Sequence, residues 1–387
     1  MSNRMILNET SYHGKGAIQS ITEEIKVRGY KKLAVITDKD LIKFGVAAKV
    51  TSILDAAAIE YKIYDEIVPN PTIANVKSGV DFVKNYGADA IVAIGGGSPQ
   101  DTAKAIGIII TNPEFSDVLS LEGVADTKNP SLPILAVPTT SGTAAEVTIN
   151  YVITDEGAHR KFVCVDPHDI PLVAFVDSDM MMGMPDSLAA ATGMDAMTHS
   201  IEGYITKAAW EMTDMLHIQA VEIIGRSLRN SVNGSGAAKE KGREEMALAQ
   251  YIAGMGFSNV GLGLVHGMAH PLSAWYNIPH GVACATLLPT IMKYNKAFTG
   301  EKYREIARAL KLEKIDEMTI EEAREAACTA IDELSHDVGI PRTISELGVK
   351  MEDIPAIAED AMRDVCTPGN PRETSVPEII ELYKSLM

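Results

Sequence analysis

Ala88-Asp-Ala-Ile-Val-Ala-Ile94 runs directly into Gly95-Gly-Gly-Ser-Pro-Gln-Asp101, and this stretch decides how the chain is read. The first part is a short apolar run, as expected of a strand buried on both faces of a sheet. The second part changes character at once. Three glycines let backbone approach a ligand without Cβ clashes. Ser98 can cap a following helix, Pro99 suits its first turn and Asp101 completes an S-x-x-D capping pattern. A strand, a glycine turn and a helix start in that order form the repeating joint of an α/β sheet.

Working outward, the same alternation recurs. Lys32–Thr37 reads as a strand and Leu41–Ala57 as a helix; Ile59–Tyr64 is again strand, Ala74–Tyr86 helix, and Pro133–Val137 a further strand. Apolar runs separated by helical spacing predict a parallel sheet with both faces covered, an open α/β domain. Around Asp179–Pro185 the texture changes. Beyond Met180-Met-Met-Gly-Met-Pro-Asp186 no convincing strand follows, and 3.6-residue periodicity dominates in Asp214–Leu228, Glu244–Met255 and Ile320–Val338. Asn230–Arg243, with its glycines, serines and lysines, reads as a solvated connection between helices. The expected domains are therefore residues 1–180, α/β and dinucleotide-binding, and 181–387, all-helical and metal-binding.

The glycine turn sets up a helix N-terminus whose N–H groups and dipole suit a pyrophosphate. It matches neither GxGxxG nor GxxxxGK[ST], and a tight strand-to-helix turn accounts for it equally well. Asp38, just past the first strand, is placed either to accept hydrogen bonds from an adenosine ribose and repel a 2′-phosphate, or to cap a helix; Asp40 competes for both roles. Pro138-Thr-Thr-Ser-Gly-Thr143 adds hydroxyl and amide donors after another strand. Three polar loops, each following a strand of one domain, together predict a ligand crevice.

In the second half, Asp195 and His199 lie four apart and share a helix face, as do His266 and His270, with His280 shortly after. Neutral imidazoles with one carboxylate suit Zn²⁺ or Fe²⁺ better than Ca²⁺ or Mg²⁺, which favour all-oxygen shells. One of the five donors is surplus if a position is left open for substrate, and spacing does not say which. The histidines at 13, 159, 168, 217 and 336 lack such partners and read as surface or capping residues.

Composition narrows the function. Asp plus Glu is 52 against 35 Lys plus Arg, a formal charge of −17, which repels nucleic acid and anionic lipid. No window reaches the roughly 20 apolar residues of a membrane helix, and the N-terminus lacks a signal-peptide core. Cys164, Cys284, Cys328 and Cys366 are widely spaced, as in reduced cytoplasmic proteins.

Gly95–Asp101, Pro138-Thr-Thr-Ser-Gly-Thr-Ala-Ala-Glu-Val147 and Gly263-x-x-His-Gly-Met-Ala-His-Pro271 together resemble the iron-containing (group III) alcohol dehydrogenases, and the match runs through nearly the whole chain. Ile153–Glu156, Lys161–Asp169 and Gly254–Asn259 extend it. The resemblance implies a Rossmann-like N-terminal domain and an all-α C-terminal domain, the dehydroquinate synthase-like architecture. It assigns the metal, Fe²⁺ in most members and Zn²⁺ in some, to Asp195, His199, His266 and His280. His270 becomes the surplus donor, a proton-relay or cofactor-contact residue. For NAD it points to Asp38, Asn70, Gly96, Gly97, Ser98, Thr139, Thr140, Thr143 and Lys161, and for the substrate pocket to Asn150, Phe257 and Cys366. The implied partners are a small alcohol or aldehyde, with lactaldehyde and 1,2-propanediol first and another short primary alcohol second, and a second copy of the chain in a homodimer. A metal- and NAD-dependent lyase on the same scaffold would need a Lys- and Arg-rich pocket, and none is evident near the histidines.

Overall fold

The structure is a computed structural model that describes residues 2–158 and 160–387, so His159 lies outside the described residues. The chain divides into two compact units, Met1–Met184 and Pro185–Met387.

Among the described residues the first unit contains eight strands: β1 (Thr10–His13), β2 (Lys32–Ile36), β3 (Glu60–Tyr64), β4 (Ala90–Gly95), β5 (Ile134–Pro138), β6 (Asn150–Asp155), β7 (Arg160–Val165) and β8 (Val173–Val176). Six of them form one sheet in the order β1-β8-β5-β4-β2-β3, with every neighbouring pair parallel. Five α-helices accompany them among the described residues: α1 (Ile21–Arg28), α2 (Lys39–Lys43), α3 (Val46–Ala56), α4 (Ile73–Tyr86) and α5 (Gly97–Thr111). The inner strands β4, β5 and β8 are apolar throughout because both faces are buried, whereas the edge strands β1 and β3 carry polar, more exposed residues. Ala34, Ile36, Ile91 and Ala93 pack with α4 and α5 residues such as Val76, Val80 and Ile106, while Leu33, Val35, Val92 and Ile94 pack with Ile21, Ile25, Val50 and Leu54 of α1 and α3. This covered parallel sheet is the expected α/β architecture.

The strand order sets the position of any ligand. From β2 the chain moves outward to β3, then returns to the other side of β2 as β4, and continues away through β5. The connections diverge between β2 and β4, and in open α/β sheets ligands bind beyond the carboxyl ends of strands at such a point. Asp38 follows β2 and Gly95–Ser98 ends β4 and begins α5, so both lie at this place.

Several local expectations need correction. The expected helix Leu41–Ala57 is two helices, because Gly45 between them sits at φ 74°. Ser98 does not cap α5. The helix begins at Gly97 with Gly96 at its N-cap and no side-chain cap, and the Asp101 carboxylate accepts the Val152 N–H of β6 instead. The antiparallel pair β6–β7, Asn150 opposite Val165 and Asp155 opposite Arg160, was not anticipated. It buries Tyr151, Ile153, Phe162 and Cys164 in the same apolar cluster as α4 and α5.

The second unit is helical: α6 (Asp186–Ile205), α7 (Glu211–Asn233), α8 (Gly236–Val260), α9 (Leu264–Tyr276), α10 (His280–Asn295), α11 (Lys302–Ala309), α12 (Ile320–Asp337), α13 (Ile354–Arg363) and α14 (Val376–Lys384). Among the described residues it has no strand, and no single helix of the chain is long and apolar enough to cross a membrane. The solvated connection expected at Asn230–Arg243 is not one. Only Gly234 and Ser235 separate α7 from α8, and Arg243 is buried, donating to the Ser231 carbonyl and to Asp186. His217 also departs from expectation. It is fully buried on α7, and a Cβ at Gly203 of α6 or Gly256 of α8 would stand 2.3 Å from its Nε2. The ring fills a slot that those two glycines create.

Candidate active site

In the first unit two of the three polar loops, those after β4 and β5, touch each other. Thr139 donates its N–H to the Gly95 carbonyl at 3.1 Å. A Cβ at Gly96 would meet Thr140 at 3.1 Å, and one at Gly97 would meet Thr143 at 3.1 Å, so bare backbone is what lets these loops touch. Ser98 lies in the first turn of α5 beside them. Asp38 resolves as the N-cap of α2, its Oδ1 accepting the Leu41 N–H at 2.8 Å, and burial raises its carboxyl above the ordinary value. Lys161 of β7 donates to Asn70 Oδ1 at 2.8 Å; Asn70 sits at φ 57°. Asn150 opens β6. Its carbonyl and that of Thr148 accept from the buried Lys104 Nζ at 2.8 and 2.6 Å, which ties the loop before β6 to the helix that follows the glycine turn. These contacts join the loops after β4 and β5 to each other, and α5 to the loop before β6, while Asp38 stands past the end of the neighbouring strand β2.

In the second unit, α6, α9 and α10 converge. α6 is buried almost from end to end and presents Asp195, His199 and Glu202 from successive turns. Asp195 Oδ1 lies 4.0 Å from His199 Nε2, 3.9 Å from His266 Nε2 and 3.8 Å from His280 Nε2. The His199 and His266 rings stack at 4.7 Å, and the His266 and His280 ring centres are 5.3 Å apart. Phe257 of α8 stacks on His199 at 4.2 Å. The structure thus gathers three imidazoles around the Asp195 carboxylate.

Glu202 explains how they are aimed. Its carboxylate accepts the backbone N–H groups of Gly263, Val265 and His266, so a side chain from α6 caps the start of α9. It lies 2.7 Å from His266 Nδ1, which fixes the tautomer with the proton on Nδ1 and the lone pair on Nε2. That Nε2 is buried without a hydrogen-bond partner among the described residues. A buried polar atom with no partner is costly, and an inward-facing lone pair beside a carboxylate is the form a metal ligand needs. Burial also pushes the His266 imidazole down to about 3, keeping it neutral, and pushes Glu202 up to about 7 against the three N–H groups that favour its charge.

His270 belongs to a neighbouring pair. Its Nδ1 lies 2.7 Å from Asp364 Oδ2, and the other Asp364 oxygen accepts the Cys366 N–H at 2.9 Å. Burial opposes the Asp364 charge, but the charge and hydrogen bond of His270 outweigh it and hold the carboxyl below the usual range. The His270 ring stacks on His280 at 5.2 Å, so its Nε2 edge stands beside the cluster. Burial raises the Cys366 thiol well above its ordinary value. Glu202 and Asp364 were not read from the sequence. Glu202 had a signal, since it continues the polar face of Asp195 and His199 by three residues on an otherwise apolar helix. Asp364 had none, lying far from His270 in sequence and on a different helix end.

A covered parallel sheet with a glycine-turn cradle, and a helical unit with a carboxylate–imidazole cluster, define a nucleotide-using metalloenzyme class. The chain belongs to the iron-containing alcohol dehydrogenase family: residues 8–178 match the Iron-containing alcohol dehydrogenase family, and residues 189–387 match the Fe-containing alcohol dehydrogenase family, C-terminal. It is 63% identical over 383 residues to lactaldehyde reductase of Escherichia coli (strain K12), covering 99% of each chain. It is 42% identical over 389 residues to 1,3-propanediol dehydrogenase of Citrobacter freundii, again covering 99% of each. Among solved structures, a 1,3-propanediol oxidoreductase superposes with a TM-score of 0.96 at 40% identity, covering 100% of both chains. An alcohol dehydrogenase from Oenococcus oeni does so with 0.95 at 38% identity, also covering 100% of both. The chain is therefore an NAD-dependent, metal-containing alcohol dehydrogenase.

Proposed function

We propose that this enzyme interconverts a small hydroxy-aldehyde and its diol, lactaldehyde and 1,2-propanediol, using NAD and Fe²⁺, with Zn²⁺ the alternative ion. The observation that carries the reading is the meeting of His199, His266 and His280 around the Asp195 carboxylate, with a buried His266 Nε2 that has no hydrogen-bond partner among the described residues. These four residues would hold the ion, and the donor set fits it: three neutral nitrogens and one carboxylate suit Fe²⁺ or Zn²⁺. When bound, the ion supplies Lewis acidity toward the carbonyl or alkoxide oxygen, and the nicotinamide supplies or accepts the hydride.

The chain's own residues do the rest. Glu202 keeps the His266 proton on Nδ1, so the ring never turns its N–H toward the ion. Asp364 holds His270 through Nδ1, leaving Nε2 as the atom that gives a proton to the product oxygen in aldehyde reduction and takes one in diol oxidation. Asn70, Gly96, Gly97, Ser98, Thr139, Thr140, Thr143 and Lys161 are proposed to hold the dinucleotide, and Asp38 to select NAD over NADP. Asn150, Phe257 and Cys366 are proposed to border the substrate. The proposal includes a homodimer in the cytoplasm, with small-molecule substrates as the other partners.

The test is NADH release by anaerobically purified, Fe²⁺-loaded protein given 1,2-propanediol, 1,3-propanediol or 1-butanol with NAD. We expect kcat/KM for 1,2-propanediol to exceed that for 1-butanol by about tenfold or more, the scale of one well-placed hydroxyl. Net NADH release also separates this reaction from that of a lyase on the same scaffold. No turnover of any alcohol by metal-loaded protein would overturn the proposal.

A further inference from the structure

The cluster holds one donor more than the proposed site uses. Cys284 lies one turn beyond His280 on α10, fully buried, with Sγ 3.6 Å from His280 Nε2. Asp195, His266, His280 and Cys284 offer donor atoms that all lie within 4.8 Å of one another, a set of four that leaves out His199. Donors bound at the usual metal–nitrogen and metal–sulfur lengths stand about 3.3 to 3.8 Å apart around a tetrahedral ion, so modest tightening closes this set. The His266 Nε2, without a hydrogen-bond partner among the described residues, belongs to it as well.

We propose that Cys284 is a recruitable metal ligand, giving the chain a second donor set of Asp195, His266, His280 and Cys284 that takes thiophilic divalent ions such as Zn²⁺ and Cd²⁺. The inference rests on the metal-site reading above and goes further in giving the site two overlapping ligand shells. Softness separates them. Nitrogen and carboxylate suit Fe²⁺, whereas thiolate shifts preference toward zinc-like and softer ions. Charge acts the same way: replacing a neutral imidazole by a thiolate takes the shell from one negative charge to two, which neutralises a divalent ion in a buried place. As the metal–sulfur bond forms, the S–H bond breaks and its proton leaves to solvent; no electron is transferred. Fe²⁺ in the His199 shell and a soft ion in the Cys284 shell are thus two states of one site, the second held more tightly.

Cobalt(II) tests this independently of activity. Metal-free full-length protein is loaded anaerobically with Co²⁺ and its absorption spectrum recorded beside its metal content. We expect stoichiometric cobalt and a near-ultraviolet thiolate-to-cobalt charge-transfer band that is lost in Cys284→Ser and kept in Cys366→Ser, the control for the neighbouring thiol. Cd²⁺ affinity should fall about tenfold or more in Cys284→Ser, with Fe²⁺ affinity changed much less. Bound cobalt without the band in the unmodified protein overturns the role of Cys284 and leaves the metal site standing. A band that survives Cys284→Ser or vanishes with Cys366→Ser also overturns it. Failure to bind any cobalt overturns the metal site itself. If Cys284→Ser does not fold, the spectra of the unmodified protein and of Cys366→Ser still decide.

Discussion

Glu202 reaches His266 through both the ring and the backbone, and the two contacts serve different ends. The backbone contacts cap α9, and the ring contact sets which nitrogen faces the cluster. Glu202→Gln keeps the shape but removes the charge, and it sets an amide N–H₂ against groups that are all donors. Metal affinity, read by chelator competition, should fall about 10- to 100-fold, the usual effect of losing the hydrogen-bond partner of a metal-bound histidine. His266→Ala should lose the ion outright, and stoichiometric metal in that variant would refute the ligand assignment. At Asp38 the structure forces a choice of substitution. Because the carboxylate caps α2, Asp38→Gly would remove both cap and charge, whereas Asp38→Ser keeps a capping oxygen and removes only the charge. If the acid repels a 2′-phosphate, the ratio of kcat/KM for NADPH to that for NADH should rise in Asp38→Ser by about tenfold or more. An unchanged ratio would leave Asp38 as a cap and nothing else.

Helices α6, α7 and α8 meet at His217, whose two ring nitrogens have no hydrogen-bond partner among the described residues. Burial pushes this imidazole down to about 3 from an ordinary 6.5. Below pH 6.5 the unfolded chain therefore takes up a proton that the folded chain refuses until near pH 3. Stability from this group is complete above pH 6.5 and falls as pH drops through the window, by up to about 1.4 kcal/mol per pH unit. Urea unfolding at pH 7, 6 and 5 should show a flatter pH dependence in His217→Gln than in the unmodified chain, with the groups common to both cancelling. Equal slopes would mean that His217 charges freely in the fold. His217 also shows where sequence reading stops. Its i,i+4 neighbours are not ligands, and nothing local reveals that Gly203 and Gly256, far off in the chain, make room for it. Arg243 misled for a related reason: glycines, serines and lysines read as solvated loop, yet α8 starts at Gly236 and runs through Arg243, which is buried against Ser231 and Asp186. By contrast β4 and the start of α5 were legible, since a strand covered on both faces must be apolar throughout and only glycines permit the approach of Thr140 and Thr143. The β6–β7 pair was not, because half-polar strands are specified by the surface they cover.

At the scale of the whole molecule, the two chemistries come from different stretches of chain. Every proposed metal donor lies between Asp195 and Cys284 within Pro185–Met387, and every residue of the dinucleotide cradle lies between Asp38 and Lys161 within Met1–Met184. The five candidate donors stood out because two i,i+4 pairs on helices each share a face, but spacing left open which of the five is surplus. The cradle was readable as loops, but its convergence depends on the strand order, which no local pattern contains. This division makes ligand stabilisation separable. An ion that binds only the folded form stabilises it by about 2.7 kcal/mol at a hundred times its Kd. That energy enters first where the ligands sit, on α6, α9 and α10. Hydrogen exchange followed by mass spectrometry should therefore show chelation of the metal-loaded protein speeding exchange by up to about a hundredfold in peptides from these three helices, while β4 and α5 change little. Adding NAD to the chelated protein should slow exchange at β4, α5 and the Thr139–Thr143 loop without restoring α6, α9 or α10. Unchanged exchange in those helices on chelation would remove the metal from them and, with it, the proposed source of Lewis acidity.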